Sequence, residues 1–186
     1  MTLDQALTFI SIVLGIAVAF ELEHLNRLLR SENVKWHWAQ PLFALFVLLS
    51  IMSIWWMMAG REVEGPMTLG RFMPIMWVLV ILTLLASVSL PDEVPEDGVD
   101  LAEYYQKNRR YMWGLYILFF APLGLNWITF AASEADSIGE FLNYVLADAI
   151  GLIVFVYLFF VRAWWAVAIG YLGLAYIAAI WFTRTI

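Results

Sequence analysis

Glu21 and His24 stand three residues apart at the end of the apolar run Ala6–Leu25, ALTFISIVLGIAVAFELEHL, so on a helix they share one face. Two chemistries are open to such a pair, proton exchange at a carboxylate and ligation of a metal. The spacing Glu-x-x-His is that of a di-iron carboxylate half-site, but such a site needs a second copy and two further glutamates, and one copy is present. The other histidine, His37, lies between Trp36 and Trp38 and belongs near the same inner surface. A mononuclear Glu21/His24/His37 metal site, or a haem or quinone held through His24 and His37, is therefore a geometric option. It stands against an interfacial polar cluster with ion pairs such as Glu23 with Arg27. No cofactor is expected, with haem or metal as the alternative.

A second carboxylate, Asp148, falls inside the apolar stretch Phe141–Val161, about seven residues or roughly 10 Å from its end. No Lys or Arg occupies that depth in any helix. Asn126 is expected at a similar level and to meet Asp148, just past Pro122 and Gly124, which loosen their helix at mid-depth. A protonatable carboxylate beside a kinked helix is what a proton path or a proton-coupled carrier needs. The structural alternative is a protonated Asp148 that donates a hydrogen bond between two helices.

These side chains must be held by membrane helices. The chain is 63% hydrophobic and 14% charged, with mean hydropathy +0.81, whereas a soluble domain is about half apolar and about a quarter charged. Apolar runs at 6–25, 38–59, 72–90, 111–132, 141–161 and 164–182 predict an all-α bundle of six spans, one transmembrane domain over residues 1–186. Pro41 sits in the first turn of the second helix, and Gly65-Pro66 and Gly70 lead into the third. Pro91 to Pro95 stops the third helix. Asp100 then reads as an N-cap, with Glu103 three residues on, for a helix that runs unbroken into the fourth span. Arg162 marks a tight turn between the last two helices, since Phe141–Phe182 as one helix would be about twice the membrane thickness. The first span lacks the basic n-region of a signal peptide and reads as retained.

Orientation follows from Lys and Arg. With both termini outside, the inner loops hold Arg27, Arg30, Lys35, Lys107, Arg109, Arg110 and Arg162, and the outer segments hold Arg61, Arg71 and Arg184. Trp36, Trp38, Trp113, Trp164 and Trp165 form an inner belt, and Trp55, Trp56, Trp127 and Trp181 an outer one. Three helices facing three would suit an inverted repeat, but the echo between Val13–Ile16 and Pro122–Leu125 is short.

Ser11, Gly15 and Ala19 recur every fourth residue on the face of the first helix opposite Glu21 and His24, and Ala166 and Gly170 do so on the sixth. Such faces pack helices within a subunit or between subunits. The cytoplasmic loop 91–110 has an acidic half, Asp92 to Glu103, and a basic half, Lys107 to Arg110. It reads as a solvated juxtamembrane helix or a docking surface, Asp92–Arg110, for a cytoplasmic partner. With a net charge of −6 and no basic stretch, the chain offers no footprint for nucleic acid, and without cysteine it has no disulfide or thiolate site. No phosphate-binding loop, nucleophile elbow or zinc-protease helix occurs.

Ser11-Ile12-Val13-Leu14-Gly15, Trp36 and Trp38, and Pro91-Asp92 followed by Asp100-Leu101, Tyr104-Tyr105 and Arg109-Arg110 carry a likeness. On these residues the chain resembles a group of small, uncharacterised bacterial multi-pass membrane proteins. The resemblance implies a bacterial inner-membrane location and carries over no functional residue. The expectation is a lipid-embedded channel or carrier for protons, ions or a small solute, formed by a homo-oligomer. Asp148 would be its gate, Asn126 the partner, Pro122 and Gly124 the flexible point, and Glu21 with His24 the inner mouth. The other expectation is an accessory or scaffold subunit of a larger membrane complex.

Overall fold

The first helix, α1 (Leu3–Arg30), buries Ala6, Ile10, Leu14, Ala17, Glu21, His24 and Leu28, a seam that advances by three or four residues at each step. That spacing is the period of one stripe on a helix turned towards neighbours. The stripe meets α2 (Ala39–Ala59) and α3 (Leu69–Val88). The computed structural model describes residues 3–60 and 68–183 of the 186. Arg61, Gly65, Pro66 and Arg184, which entered the turn and charge readings, lie outside the described residues, as does the side chain of Trp181.

Among the described residues the order is α1, β1 (Val34–Lys35), α2, α3, β2 (Val99–Asp100), α4 (Leu101–Glu134), α5 (Ile138–Phe160) and α6 (Trp164–Thr183). The chain is almost wholly helical. Four helices are long and apolar enough to cross a membrane, over Asp4–Arg30, Ala39–Ala59, Leu69–Val88 and Leu101–Glu134. α5 bends by 44° between Ile138–Leu146 and Asp148–Phe160 and makes a fifth if both limbs form one span, while α6 carries the shorter apolar run Trp164–Ala179. The outward side chains are themselves apolar, Ile12, Met52, Leu125, Ile153 and Leu172 among them. That surface suits hydrocarbon and not water.

The chain forms two compact units. The first holds α1, α2, α3, the β pair and the opening turns of α4; the second holds the rest of α4 with α5 and α6.

Boundaries follow from caps. α3 starts at Leu69, three residues before the apolar run, because the Thr68 hydroxyl accepts the Arg71 amide at 3.4 Å, which leaves Pro74 inside the helix. α4 starts where Asp100 Oδ1 accepts the amides of Ala102 (2.9 Å) and Glu103 (3.2 Å), and it continues unbroken past Pro122.

In the second unit the turn at 161–163 separates α5 from α6. The buried Arg109 guanidinium donates to the Val161 carbonyl at that turn, and the Tyr157 hydroxyl donates to the Ala166 carbonyl at 3.0 Å. α6 lies so close that a Cβ on Gly170 would stand 2.4 Å from Leu158 Cδ2, and Ala166, one turn earlier, is buried. Small residues on α6 thus pack it onto α5. Trp113 belongs to this core and not to the inner belt. It is fully buried, 6.1 Å from Phe155 and 5.9 Å from Tyr171, with Tyr116 stacked on Phe155 at 5.1 Å. An indole on the inward face of α4 fills this interior, and position along the helix alone does not reveal that.

On α1 the outcome differs. Ser11, Gly15 and Ala19 face outward, and a Cβ on Gly15 would meet nothing within 4 Å. Of the three, Ser11 touches another helix through the Trp55 indole, which donates to its hydroxyl at 3.3 Å.

Candidate functional site

Positions 21 and 24 of the α1 seam carry Glu and His where the other buried positions carry Ala, Ile or Leu. Glu21 is 1% exposed and His24 9%. From α2, Gln40 enters in the first turn, fully buried, its amide nitrogen donating to the Ser89 carbonyl. Ser89 caps α3, also fully buried, and stands beside Glu21. Its hydroxyl donates to the Ala86 carbonyl at 2.9 Å, and it is also the polar side chain that lies against the carboxylate. Neither oxygen of Glu21, nor Nδ1 of His24, meets a partner at full hydrogen-bond geometry among the described residues. The α1 seam, the start of α2 and the end of α3 thus meet near a buried carboxylate against which Ser89 is the polar neighbour.

The surroundings hold this arrangement from one side. Leu28, Ala44, Leu90 and Leu101 form a buried apolar plug, with Leu25, Val34, Val94 and Val99 packed against it. Leu28 lies seven residues beyond Glu21, about 10 Å along the helix. The Tyr104 hydroxyl reaches the carbonyls of Val88 (3.2 Å) and Leu90 (3.4 Å), which fixes the backbone on both sides of Ser89.

The segment after α3 is strapped beneath the plug. Val34–Lys35 pairs in parallel with Val99–Asp100, and Val99 N donates to Asn33 O at 2.9 Å. The Asn33 amide donates to Glu96 O at 3.2 Å, and Arg27 donates to Asp92 O and pairs with Glu23 at 2.8 Å. Gly98 closes the turn from Pro95 with φ +90, in the region L side chains avoid. The acidic half of loop 91–110 is thus an ordered strap across the end of α1.

His37 precedes α2 outside the site, its Nδ1 accepting the Ala39 amide at 3.4 Å. Burial pushes its imidazole below the usual histidine range, and the Asp100 carboxylate opposes this. Among the described residues no three His, Asp or Glu side chains gather as a metal would require, so Glu21, His24 and His37 do not form such a group.

In the second unit Asp148 is half-buried on α5, the first residue after the bend. One turn earlier, Tyr144 O accepts the Trp127 indole at 2.8 Å, which ties α5 to α4 at this level. Asn126 lies on an exposed side of α4, its carbonyl accepting the Thr129 hydroxyl at 2.8 Å. Pro122 and Gly124 are half-buried, and a Cβ on Gly124 would touch only Phe120, at 3.5 Å. The more deeply buried carboxylate is Glu21, and Asp148 is the more open one.

Gln40 and Ser89 are site residues that sequence reasoning missed. The signal available was a polar residue at the end of each apolar run, Gln40 before Pro41 and Ser89 before Pro91. No protein-family model, no curated protein and no solved structure matches this chain.

Proposed function

We propose that the chain is a six-span protein of a bacterial inner membrane, with both termini outside, that conducts or carries protons or small cations. The observation that carries this reading is Glu21, a carboxylate 1% exposed with neither oxygen at full hydrogen-bond geometry to a partner among the described residues. An ionisable group buried on a membrane helix is costly unless it is paired or protonated, which makes such a group by default a candidate point for taking up and releasing charge. Asp148 supplies a second protonatable group in the other unit, and His24 stands next to Glu21 on the side of the inner loops. The seven-to-three distribution of Lys and Arg supports the orientation.

The test is proton flux into proteoliposomes containing the full chain, followed with an entrapped pH dye. Glu21→Gln is expected to abolish it and Asp148→Asn to reduce it. Flux unaltered in both variants overturns the reading. Because the chain has no cysteine, single cysteines at Asp97 and Ser137 report topology without further changes. Asp97 is expected to label from the cytoplasmic side and Ser137 from the outside.

A second reading, an accessory subunit of a larger membrane complex, is favoured by the outward Ser11, Gly15 and Ala19 face, which leaves room for a helix backbone. Excess mass in native mass spectrometry of the gently extracted protein would support it, and whole multiples of 21.4 kDa would favour a homo-oligomer.

A further inference from the structure

The atoms left unmatched around Glu21 are acceptors, and their kind defines what they would hold. Glu21 Oε1 and Oε2 bear one formal negative charge, and His24 Nδ1 is an acceptor when the neutral ring carries its proton on Nε2. Ser89 Oγ, against the carboxylate and 2.9 Å from the Ala86 carbonyl, offers a lone pair when its proton turns to Ala86. Gln40, joined to the Ser89 carbonyl through its nitrogen, brings an amide oxygen into the same cluster.

Among the described residues of this unit no Lys or Arg is buried beside that charge: Arg27, Arg30, Lys35, Arg71 and Lys107 are all exposed. On α1, Arg27 is engaged by Glu23 and Asp92 O. Ahead of α2, Lys35 lies 4.0 Å from Asp100, and His37 faces that same carboxylate. α3 has no charged residue between Arg71 and its end, and α4 brings the neutral Tyr104 hydroxyl.

We propose that Glu21 is the charged ligand of a site that takes one proton or one monovalent alkali cation, sodium, in exchange for each other. A single carboxylate among neutral oxygens balances a charge of +1. A divalent ion would leave a net positive charge in the interior, and among the described residues no second carboxylate joins to prevent it. Oxygen donors select a hard cation over a soft one. On cation entry the carboxyl O–H bond breaks and its proton leaves to water; on protonation the O–H bond forms and the cation leaves. The site is neutral in both states and no electron moves. The exchange rests on the transport reading only for its use, not for its occurrence.

The test uses full-length protein in detergent, in weakly buffered solution with a pH indicator, to which sodium chloride or choline chloride is added across a pH series. Sodium is expected to release up to about one proton per chain and choline none. Glu21→Gln should release none. Ser89→Ala, which keeps the carboxylate, should raise the half-saturating sodium concentration about tenfold or more, the usual effect of removing a supporting group. The inference is overturned if sodium releases no more proton than choline from the wild type. It is equally overturned if a folded Glu21→Gln releases as much, or if Ser89→Ala leaves the sodium dependence unmoved. Proteoliposome flux separates the two ideas. Sodium-linked release without flux retains the site and defeats transport, whereas Glu21-dependent proton flux without sodium-linked release retains transport and defeats the exchange.

Discussion

Gly98→Ala is expected to unfasten the strap beneath the Glu21 site. At φ +90 an L-residue loses roughly 1–2 kcal/mol relative to glycine. The added Cβ would also stand 2.5 Å from Asn33 O, a backbone atom that cannot move aside without taking Val34 with it. That oxygen accepts the Val99 amide at 2.9 Å, and losing this bond costs about 1 kcal/mol more. Against this, alanine restricts the unfolded chain and returns about 0.4–1 kcal/mol. The net is a local destabilisation of about 2 kcal/mol, or roughly a 30-fold loss of protection from hydrogen exchange at the Val99 amide. Exchange followed by mass spectrometry on peptides covering residues 31–37 and 96–101 reads this directly. Gly70→Ala is the control, since a Cβ there would meet nothing within 4 Å on an ordinary helix. It should be neutral or stabilising by up to about 1 kcal/mol. A protection change under threefold in Gly98→Ala would show that the β pair does not depend on this turn.

Three further outcomes are expected. In sodium-free buffer at neutral pH Glu21→Gln should stabilise the protein by about 1–3 kcal/mol, because the wild-type carboxyl, ionised in the unfolded chain, must take up a proton to be buried and the amide need not; a denaturation midpoint in SDS shifted the other way by more than about 1 kcal/mol refutes this. Because burial lowers the pKa of His37, the folded state favours its neutral form, whose stabilisation is complete above about pH 6.5 and declines as pH falls below it. The melting temperature should therefore be lower at pH 5.5 than at 7.5, with the difference reduced in His37→Asn; an unchanged difference shows that another group governs it. Gly15→Ile should leave monomer stability within about 0.5 kcal/mol, because the position is open, and should alter the assembled mass in native mass spectrometry only if the outward face of α1 binds another helix; a large loss of monomer stability contradicts the open position.

Much of the fold was legible because apolar length and capping chemistry act locally. Asp100 capping α4, the turn around Arg162 and the Glu23–Arg27 pair all follow from near neighbours in sequence. The opposition of Glu21 and His24 to Gly15 was legible for the same reason, since helical period alone separates the two faces. Which face turns inward was not. A small face is equally suited to inward and outward contacts, and α1 uses it outward while α6 uses it against Leu158. Gln40 and Ser89 were missed because their meeting depends on how far α2 and α3 slide along α1. The β pair was missed because two-residue strands leave no periodicity, and Asn33 with Pro95–Gly98 is the trace they leave in the sequence.

The weight given to Asp148 in the sequence and to Glu21 in the structure has one physical source. Depth along a helix was read from chain position, and by that measure Asp148 lies deeper in its apolar run. Burial depends also on the neighbours that close around a side chain, and for Glu21 these are fixed by contacts distant in sequence. Tyr104 holds the backbone around Ser89, the Leu28–Leu90–Leu101 plug closes one side, and the strap hinged at Gly98 lies across the end. A carboxylate enclosed in this way does not stabilise the fold, because apolar residues of similar size would do so better at the same seam positions. Its presence on the seam, with His24 one step further, is what the proposed uptake and release of charge requires and what packing alone does not call for.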